Sequence, residues 1–489
     1  MTDVNARAQE GTEGEGSVER TAGRRWWTLA LLCVPFFVVV SDSTTVYTAL
    51  PSIRDGLSLS EARLQWLVIA YPLTSGALLL LGGRVADIFG RRRTFLWGVA
   101  VFTGMSLLSG LAWSSGVLVA ARTAQGIGTA IMVPAALSIL VVTFADGAER
   151  NRALGLWGAL GGIGATGGLL LGGPITEILG WRWVFLVNVP VGIVTLVLAP
   201  ALIERDERSG VRERRLDLPG SVTITLALFA LVYAVVAAPS AGWGGPRVLG
   251  LLAGVGLLTV LFVRIERRTP DPLVPLRLFR SRSLVGGNLL VLAAGMSVDG
   301  LLFTVTMLTQ QVWGYSATRF GLAMTVMTVT SFVGVAAGQH SVSRFGVRAV
   351  AVGGFTLIGI GSTVLTQVPS DGTRVGTLLI GLVLFGPGMG AAFVAGQIAA
   401  LAGVNERDAG LAAGVEETTF AVGGAVGVAV FSSIALSRTD LMTGSRSAFV
   451  AAVVVASVGV VAAVALIDRS LGARGGEPVD GSDDAPMTR

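Results

Sequence analysis

Apolar and polar positions in this chain are sorted into blocks: long apolar runs alternate with short polar stretches in which the arginines gather. A bilayer core about 30 Å thick is crossed by about 20 helical residues. Fourteen runs meet that length, over 26–50, 64–83, 94–113, 117–144, 153–179, 183–203, 218–238, 247–265, 284–308, 318–340, 348–368, 374–401, 409–436 and 447–467. The pattern predicts an all-α integral membrane protein. The first run, Trp26–Leu50, is too long for the apolar part of a secretion signal and lacks a small-residue cleavage site, so it reads as a retained helix. The polar segments 1–25 and 468–489 read as disordered tails.

Arginine placement tests the count, because cytoplasmic loops carry the excess of positive charge. With the N-terminus inside, the inner segments hold Arg20, Arg24 and Arg25, then Arg84, Arg91, Arg92 and Arg93. Later ones hold Arg205, Arg208, Arg212, Arg214 and Arg215, then Arg264, Arg267, Arg268, Arg277, Arg280 and Arg282. Outer loops hold at most two arginines each. A miscounted helix would invert this asymmetry from that point on, so fourteen crossings with both termini cytoplasmic are expected.

Two longer inner loops, 204–217 and 266–283, bracket a helix pair at 218–265 that contains no embedded acid. The pair reads as an insert between two six-helix bundles, 26–203 and 284–467. Internal repetition supports the division. Gly82-Gly83-Arg84-Val85-Ala86-Asp87-Ile88-Phe89-Gly90-Arg91 has a weaker echo in Gly338-Gln339-His340-Ser341-Val342-Ser343-Arg344-Phe345-Gly346-Val347, each between the second and third helices of its half. Repeated halves facing each other across a midplane site are a recurring build of secondary transporters.

Composition narrows the chemistry. Charged residues make up 14% of the chain, against about 25% in soluble proteins. Cys33 and His340 are the single cysteine and histidine, which argues against a disulfide framework, a Cys/His zinc site and a Cys–His nucleophile. All 36 basic residues are arginine, so no Gly-x-x-x-x-Gly-Lys phosphate loop exists and transport driven by the chain's own ATP hydrolysis is excluded. The pI near 10.2 comes from clusters between apolar runs, which points to membrane topology and away from nucleic acid. No enzyme activity, metal or cofactor is expected.

Gly83-x-x-x-Asp87-x-x-Gly90-Arg91-Arg92 resembles the signature loop of the major facilitator superfamily. Asp42-Ser43-Thr44-Thr45-Val46-Tyr47-Thr48-Ala49-Leu50-Pro51 resembles the first-helix motif of its fourteen-helix drug:proton antiporter family. Gln65-Trp66, Ala121-Arg122-Thr123-Ala124-Gln125-Gly126-Ile127-Gly128, Trp181 to Pro190, Gln310 to Ser316 and the Gly-rich run from Gly410 to Val428 follow in the family's order. The resemblance covers about residues 26–467. Three departures stand out. The fifth helix reads Gly168-Leu169-Leu170-Leu171-Gly172-Gly173 where the family has Gly-Pro-x-x-Gly-Gly, Tyr47 replaces an asparagine, and Ser343 stands where an acid is common.

Ionisable side chains inside a membrane helix cost about 2.5–3.5 kcal/mol each on insertion scales, so each is a functional candidate. Asp42, Arg122, Asp299, Glu416 and Glu417 are the few that occur here. Superposing Gly90 on Gly346 gives an offset of 256 residues, which carries Asp42 to Val298, beside Asp299. The two acids thus occupy nearly equivalent places in the two halves. The adjacent glutamates are separated by about 100° around their helix, so one of them is expected to face the cavity; both remain candidates. Burial favours a carboxyl's protonated form and a nearby cation its ionised form. A carboxyl of alternating exposure can therefore exchange a proton for a cation. The resemblance makes Arg122 a proton-transfer residue; as a bare residue it also fits a buried structural partner for Asp42 or for backbone carbonyls.

Asp42, Tyr47, Tyr71, Gln125, Asp299, Glu416 and Glu417 are the candidate substrate contacts, with Tyr47, Tyr71 and Trp66 as aromatic walls for a lipophilic cation. Trp66 also fits an interfacial anchor. Gly83, Arg84, Asp87, Gly90, Arg91 and Arg92 are candidate gating residues, as are Gly168, Gly172 and Gly173, whose small size permits close helix contact. His340 and Cys33 read as structural.

The resemblance implies a monomeric, multi-pass exporter of the inner membrane. It would work by alternating access, exchanging protons for amphiphilic, cationic drugs or antibiotics, with the lipid bilayer as its other partner. The lysine-free, Arg-, Ala- and Gly-rich composition points to a GC-rich genome and, with the resemblance, to an actinomycete. A dedicated exporter of one endogenous metabolite, a proton symporter on the same scaffold and a transport-inactive membrane sensor remain open as alternatives.

Overall fold

A computed structural model describes residues 2–472 apart from 145–146, 205–216, 271, 371–374, 439 and 470, with backbone alone at 2–23, 61–62, 239–240 and 406–407. The first helix, α1, is Thr2–Leu57, of which Arg24–Leu57 is the apolar crossing. Side chains before Arg24 and everything past Gly472, where polar tails are expected, lie outside the described residues, as does most of the loop expected at 204–217. The succeeding helices are α2 (Glu61–Phe89), α3 (Arg91–Gly110), α4 (Ser115–Thr143) and α5 (Ala148–Ile178). Then α6 (Trp183–Leu202) is interrupted at Val187. The insert is α7 (Leu218–Ala241) and α8 (Pro246–Arg268). The second half opens with α9 (Arg282–Thr306), which passes into a π-helical turn, Met307–Val312.

The next element, Ala317–Leu365, spans two expected crossings and bends at Gly346; we name its limbs α10 (317–345) and α11 (347–365). The loop expected there has shrunk to one residue. Gly346 has φ 79° and ψ 162°, and Gly90, between α2 and α3, has φ 92° and ψ 136°. These are conformations that glycine adopts without a Cβ clash, so each half reverses its chain at a single glycine. The series ends with α12 (Val375–Leu401), α13 (Glu406–Leu436) and α14 (Leu441–Leu466).

Among the described residues, twelve helices are long and apolar enough to cross a membrane when Ala317–Leu365 counts as one. The bend at Gly346 and the 20-residue α3, which opens on Arg91, Arg92 and Arg93, make this consistent with the expected fourteen. Trp27, Trp113, Trp183 and Trp243 lie exposed at or near helix ends, as aromatic residues do at membrane interfaces.

In lipid there is no hydrophobic drive between helices, and close packing takes its place. Here α1 packs on α5 and α6, α2 on α4, α9 on α13, and α10–α11 on α12. The halves meet where α2 touches α13 and α5 touches α10, while α7 packs against both α2 and α13. Glycines mark the closest approaches. A Cβ at Gly98 would lie 2.7 Å from the Met132 backbone N, and one at Gly354 would lie 2.7 Å from that of Ala392. These two glycines are 256 residues apart, as are Gly90 and Gly346 and, at the α1–α5 and α9–α13 contacts, Gly168 and Gly424. The repeat expected from one loop thus extends through the packing.

Gly346→Ala and Gly90→Ala should each lower stability by about 1–3 kcal/mol, the cost of forcing a side chain into that backbone region. Gly353→Ala, on α11 with open space around the glycine, should be neutral or mildly stabilising. Unfolding midpoints of the purified variants in detergent check both.

Candidate functional site: an ion pair inside one half and free acids in the other

The sequence around Asp42 fixes its helix before it fixes the acid. Ser41 Oγ donates to the Gly164 carbonyl of α5 at 2.9 Å, Thr44 Oγ1 to Ala165 O at 3.0 Å and Thr45 Oγ1 to Gly168 O at 3.1 Å. The glycines that make room for these hydroxyls are those of the fifth-helix motif. A Cβ at Gly172 would lie 2.6 Å from Thr45 Cγ2 and Thr48 Oγ1, and one at Gly168 would collide with Thr44 and Thr45. The motif therefore keeps its packing face without the family's proline.

Held in this way, Asp42 points into the first bundle and forms an ion pair with Arg122 of α4. Asp42 Oδ1 also accepts from Asn188 Nδ2 of α6 at 2.8 Å. Arg122 donates to Gln125 Oε1 at 2.9 Å, and Gln125 Nε2 donates onward to Ser106 Oγ of α3 at 2.9 Å. The guanidinium carbon lies 4.4 Å from the Tyr71 ring centroid and 5.6 Å from that of Phe185. Tyr71 Oη shares a 3.0 Å hydrogen bond with Thr129. Asp42 and Arg122 are 2% and 1% exposed, and Arg122 Nε has no hydrogen-bond partner.

This arrangement brings together Asp42, Arg122, Gln125 and Tyr71, but as a closed network away from solvent. The Tyr71 face expected for a lipophilic cation is occupied by Arg122. Tyr47 is buried within electrostatic reach of both Arg122 and Asp299, and its carbonyl accepts from Gln310 Nε2 of the other half at 3.3 Å. It is the link between the two groups of charge. Sequence reasoning missed Asn188 and Ser106. Asn188 stood in the motif from Trp181 to Pro190, where a polar residue in an apolar run was the available signal.

The second half holds its acids differently. Asp299 of α9 is half-buried, and its carboxylate fills the place that a side chain at Gly424 of α13 would take. Glu416 is buried, in hydrogen-bond contact with Gln397 of α12, and leaves its Oε1 unpartnered. Glu417 is exposed to solvent although helices surround it. Residues seven apart on a helix differ by about 20° in direction and about 10 Å in height. Glu417 therefore lies on the same side of α13 as Gly424 and its neighbour Asp299. Neither Asp299 nor Glu417 forms an ion pair among the described residues.

The two halves are joined by polar contacts at the face away from the arginine clusters. Arg54 Nη1 donates to Gln311 Oε1 at 2.7 Å, and Glu177 Oε1 accepts from the Thr318 backbone N at 2.8 Å. Gly173 meets Thr318 at the same seam. At the opposite face, Arg84 donates to the Pro272 carbonyl and Arg92 Nη2 to that of Pro200 at 3.0 Å. Gly83 and Arg91 are half-buried there and Asp87 is exposed. Trp66 stacks on Phe229 of the insert, with centroids 6.4 Å apart, so it anchors α7 and does not line the space between the halves. His340 is exposed and Cys33 buried.

Repeated helical halves with ionisable groups held between their helices are a recurring build of secondary transporters. The sequence matches the family model described as Major Facilitator Superfamily over residues 32–307. It is 39% identical over 423 residues to a puromycin resistance protein of Streptomyces alboniger, covering 85% of this chain and 83% of that one. It is also 39% identical to a cephamycin export protein of Amycolatopsis lactamdurans, covering 90% of each. A solved peptide transporter of the POT family shares the fold at a TM-score of 0.66 and 16% identity, covering 94% of this chain and 99% of that one. The chain belongs to the major facilitator superfamily of multi-pass membrane transporters. A second match, to a manganese efflux pump family over residues 250–365, begins inside the insert and ends in α11, so it corresponds to no unit of this fold.

Removing one member of a buried pair leaves an uncompensated charge, which costs about 3–5 kcal/mol. Arg122→Ala should lose stability on that scale, and Asp42→Asn added to it should restore part of the loss. A double-mutant cycle on unfolding midpoints measures the coupling.

Proposed function

We propose that the protein is a proton-coupled exporter in the bacterial plasma membrane, with both termini cytoplasmic. It would expel amphiphilic, cationic drugs or antibiotics by alternating access. The observation that carries this reading is the division of internal charge. One half seals its acid against an arginine, while the other presents Asp299 and Glu417 without ion-pair partners beside accessible space. A carboxyl away from water favours its proton, and a cation beside it favours release. Substrate cation and proton thereby compete for the same groups. The relatives named for puromycin resistance and cephamycin export support outward transport of antibiotics. The seam of Arg54, Gln311, Glu177 and Thr318 supports a state closed on the outer side and ready to load from the cytoplasm.

Within this scheme Asp42 and Arg122 act as a proton-dependent tie between α1 and α4, and Tyr47 carries their state toward Asp299. Glu417 is the better placed of the adjacent glutamates for substrate, and Glu416 supports it through α12. Arg84, Asp87, Arg91 and Arg92 hold the cytoplasmic ends, and Gly168, Gly172 and Gly173 let α5 slide between α1 and α10.

Adding a lipophilic dye cation to purified protein in weak buffer should release protons. Asp299→Asn and Glu417→Gln should each reduce the release severalfold, Glu416→Gln less so. In everted vesicles acidified inside, wild type should accumulate the dye and Asp42→Asn should not. Absence of both release and accumulation would overturn the reading.

A further inference from the structure

The insert closes on itself through two acids that lie outside the cavity. Asp217 caps the start of α7, with its Oδ1 accepting from Gly220 N at 2.8 Å. Glu266, on the last turn of α8, accepts through Oε2 from Val274 N at 3.2 Å. It thereby ties down the segment that leads from the insert to α9. Each acid is 3% exposed. The remaining oxygens, Asp217 Oδ2 and Glu266 Oε1, are both buried without a hydrogen-bond donor. They converge on one place, since a Cβ at Gly220 would lie 2.5 Å from the first and 2.9 Å from the second.

Two carboxylates in contact and out of water cannot both ionise at low cost. Among the described residues no cation is paired with either acid; Arg205, Arg208, Arg212, Arg214 and Arg215, which precede Asp217 in the chain, lie outside them. Asp217 is the charged group that acts on Glu266. Arg84 of α2 is engaged with the Pro272 carbonyl, and Arg277 of the connecting segment pairs with Asp408 of α13 at 2.8 Å. Arg264, Arg267 and Arg268 of α8 are exposed. Glu416 follows Val415, which joins Leu273 and Val274 in the apolar cluster beside the pair. Asp271 lies outside the described residues.

We infer that Asp217 and Glu266 form a proton-binding site of their own, in which one shared proton bridges Asp217 Oδ2 and Glu266 Oε1 and holds the two ends of the insert together. The site is independent of the transport reading above. It sits on the arginine-rich face, so its occupancy follows the pH on that side, and loss of the proton leaves two like charges pushing α7 and α8 apart.

The sign follows from linkage. The folded state holds a proton that the unfolded chain releases, so this contribution is present at low pH and lost as pH rises. Glu266→Gln supplies an amide donor to Asp217 in place of the proton. The test is thermal unfolding of the full-length protein in lipid nanodiscs from about pH 6 to about pH 9, where one linked proton changes the unfolding equilibrium by up to about tenfold per pH unit. Wild type should lose stability with rising pH relative to Glu266→Gln, and Asp217→Asn, which keeps the helix cap, should behave as Glu266→Gln does. Asp299→Asn and Glu417→Gln should leave that difference intact. Parallel pH slopes for wild type, Glu266→Gln and Asp217→Asn would overturn the inference. So would a stability difference that depends on sodium and not on pH, which would assign the oxygens to a metal cation.

Discussion

A charge inside a membrane protein must be paired, protonated or wet, because hydrocarbon offers none of the solvation that water gives. Asp42 and Arg122 take the first course, and the first bundle is arranged around them. Their contacts recruit α1, α3, α4 and α6, through Ser106, Gln125 and Asn188. Tyr71 and Phe185 cover the guanidinium faces. Such a pair is weak evidence for stability, since desolvation offsets much of its attraction, and its better-attested use is to specify one arrangement among several. In a carrier that must hold two arrangements, that property is a means of control.

Asp299 in the second half occupies nearly the place equivalent to Asp42, without the arginine, since the same offset carries Arg122 to Leu378. Gly168 and Gly424 are related by the same offset as Gly90 and Gly346. At the first position, α5 receives hydroxyls from α1; at the second, α13 receives the Asp299 carboxylate. One repeated contact thus has two chemical fillings, neutral in one half and ionisable in the other. The asymmetry of function arises on a symmetric scaffold.

What could be read from the sequence divides along a physical line. Charges stand out in apolar runs, so Asp42, Arg122, Asp299, Glu416 and Glu417 were legible, and the glycines at reversals announced the repeat. Neutral hydrogen-bonding residues stand out less: Ser106 and Gln397 look like the many serines, threonines and amides that helices tolerate, and Asn188 was marked by its motif but not by a charge. Tyr71 was legible as an aromatic face but not as one already occupied, because occupancy depends on how α2 and α4 pack. Asp217 and Glu266 sat at the margins of arginine-rich loops and resembled solvated charges. Only the closure of α7 on α8 takes them out of water.

The fifth helix joins these parts. Its glycine face meets Thr44, Thr45 and Thr48 of α1 on one side, through Gly168 and Gly172, and Thr318 of α10 on the other, through Gly173. The helix that carries Asp42 and the seam between the halves are therefore packed against one and the same helix, with almost no side chain between them to absorb a shift. A change in how α1 is held, such as gain or loss of the Arg122 partner, must move α5 or strain it. Movement of α5 displaces Glu177 from the Thr318 amide that it caps. At Leu169, where the family has proline, α5 keeps a backbone N–H and avoids the ring clash that kinks a helix, so its interior proline is Pro174. The stretch through Gly168 and Gly172 thus keeps both α1 contacts in one register, and Pro174, one residue past Gly173, sets the point at which α5 bends before Glu177 reaches the seam.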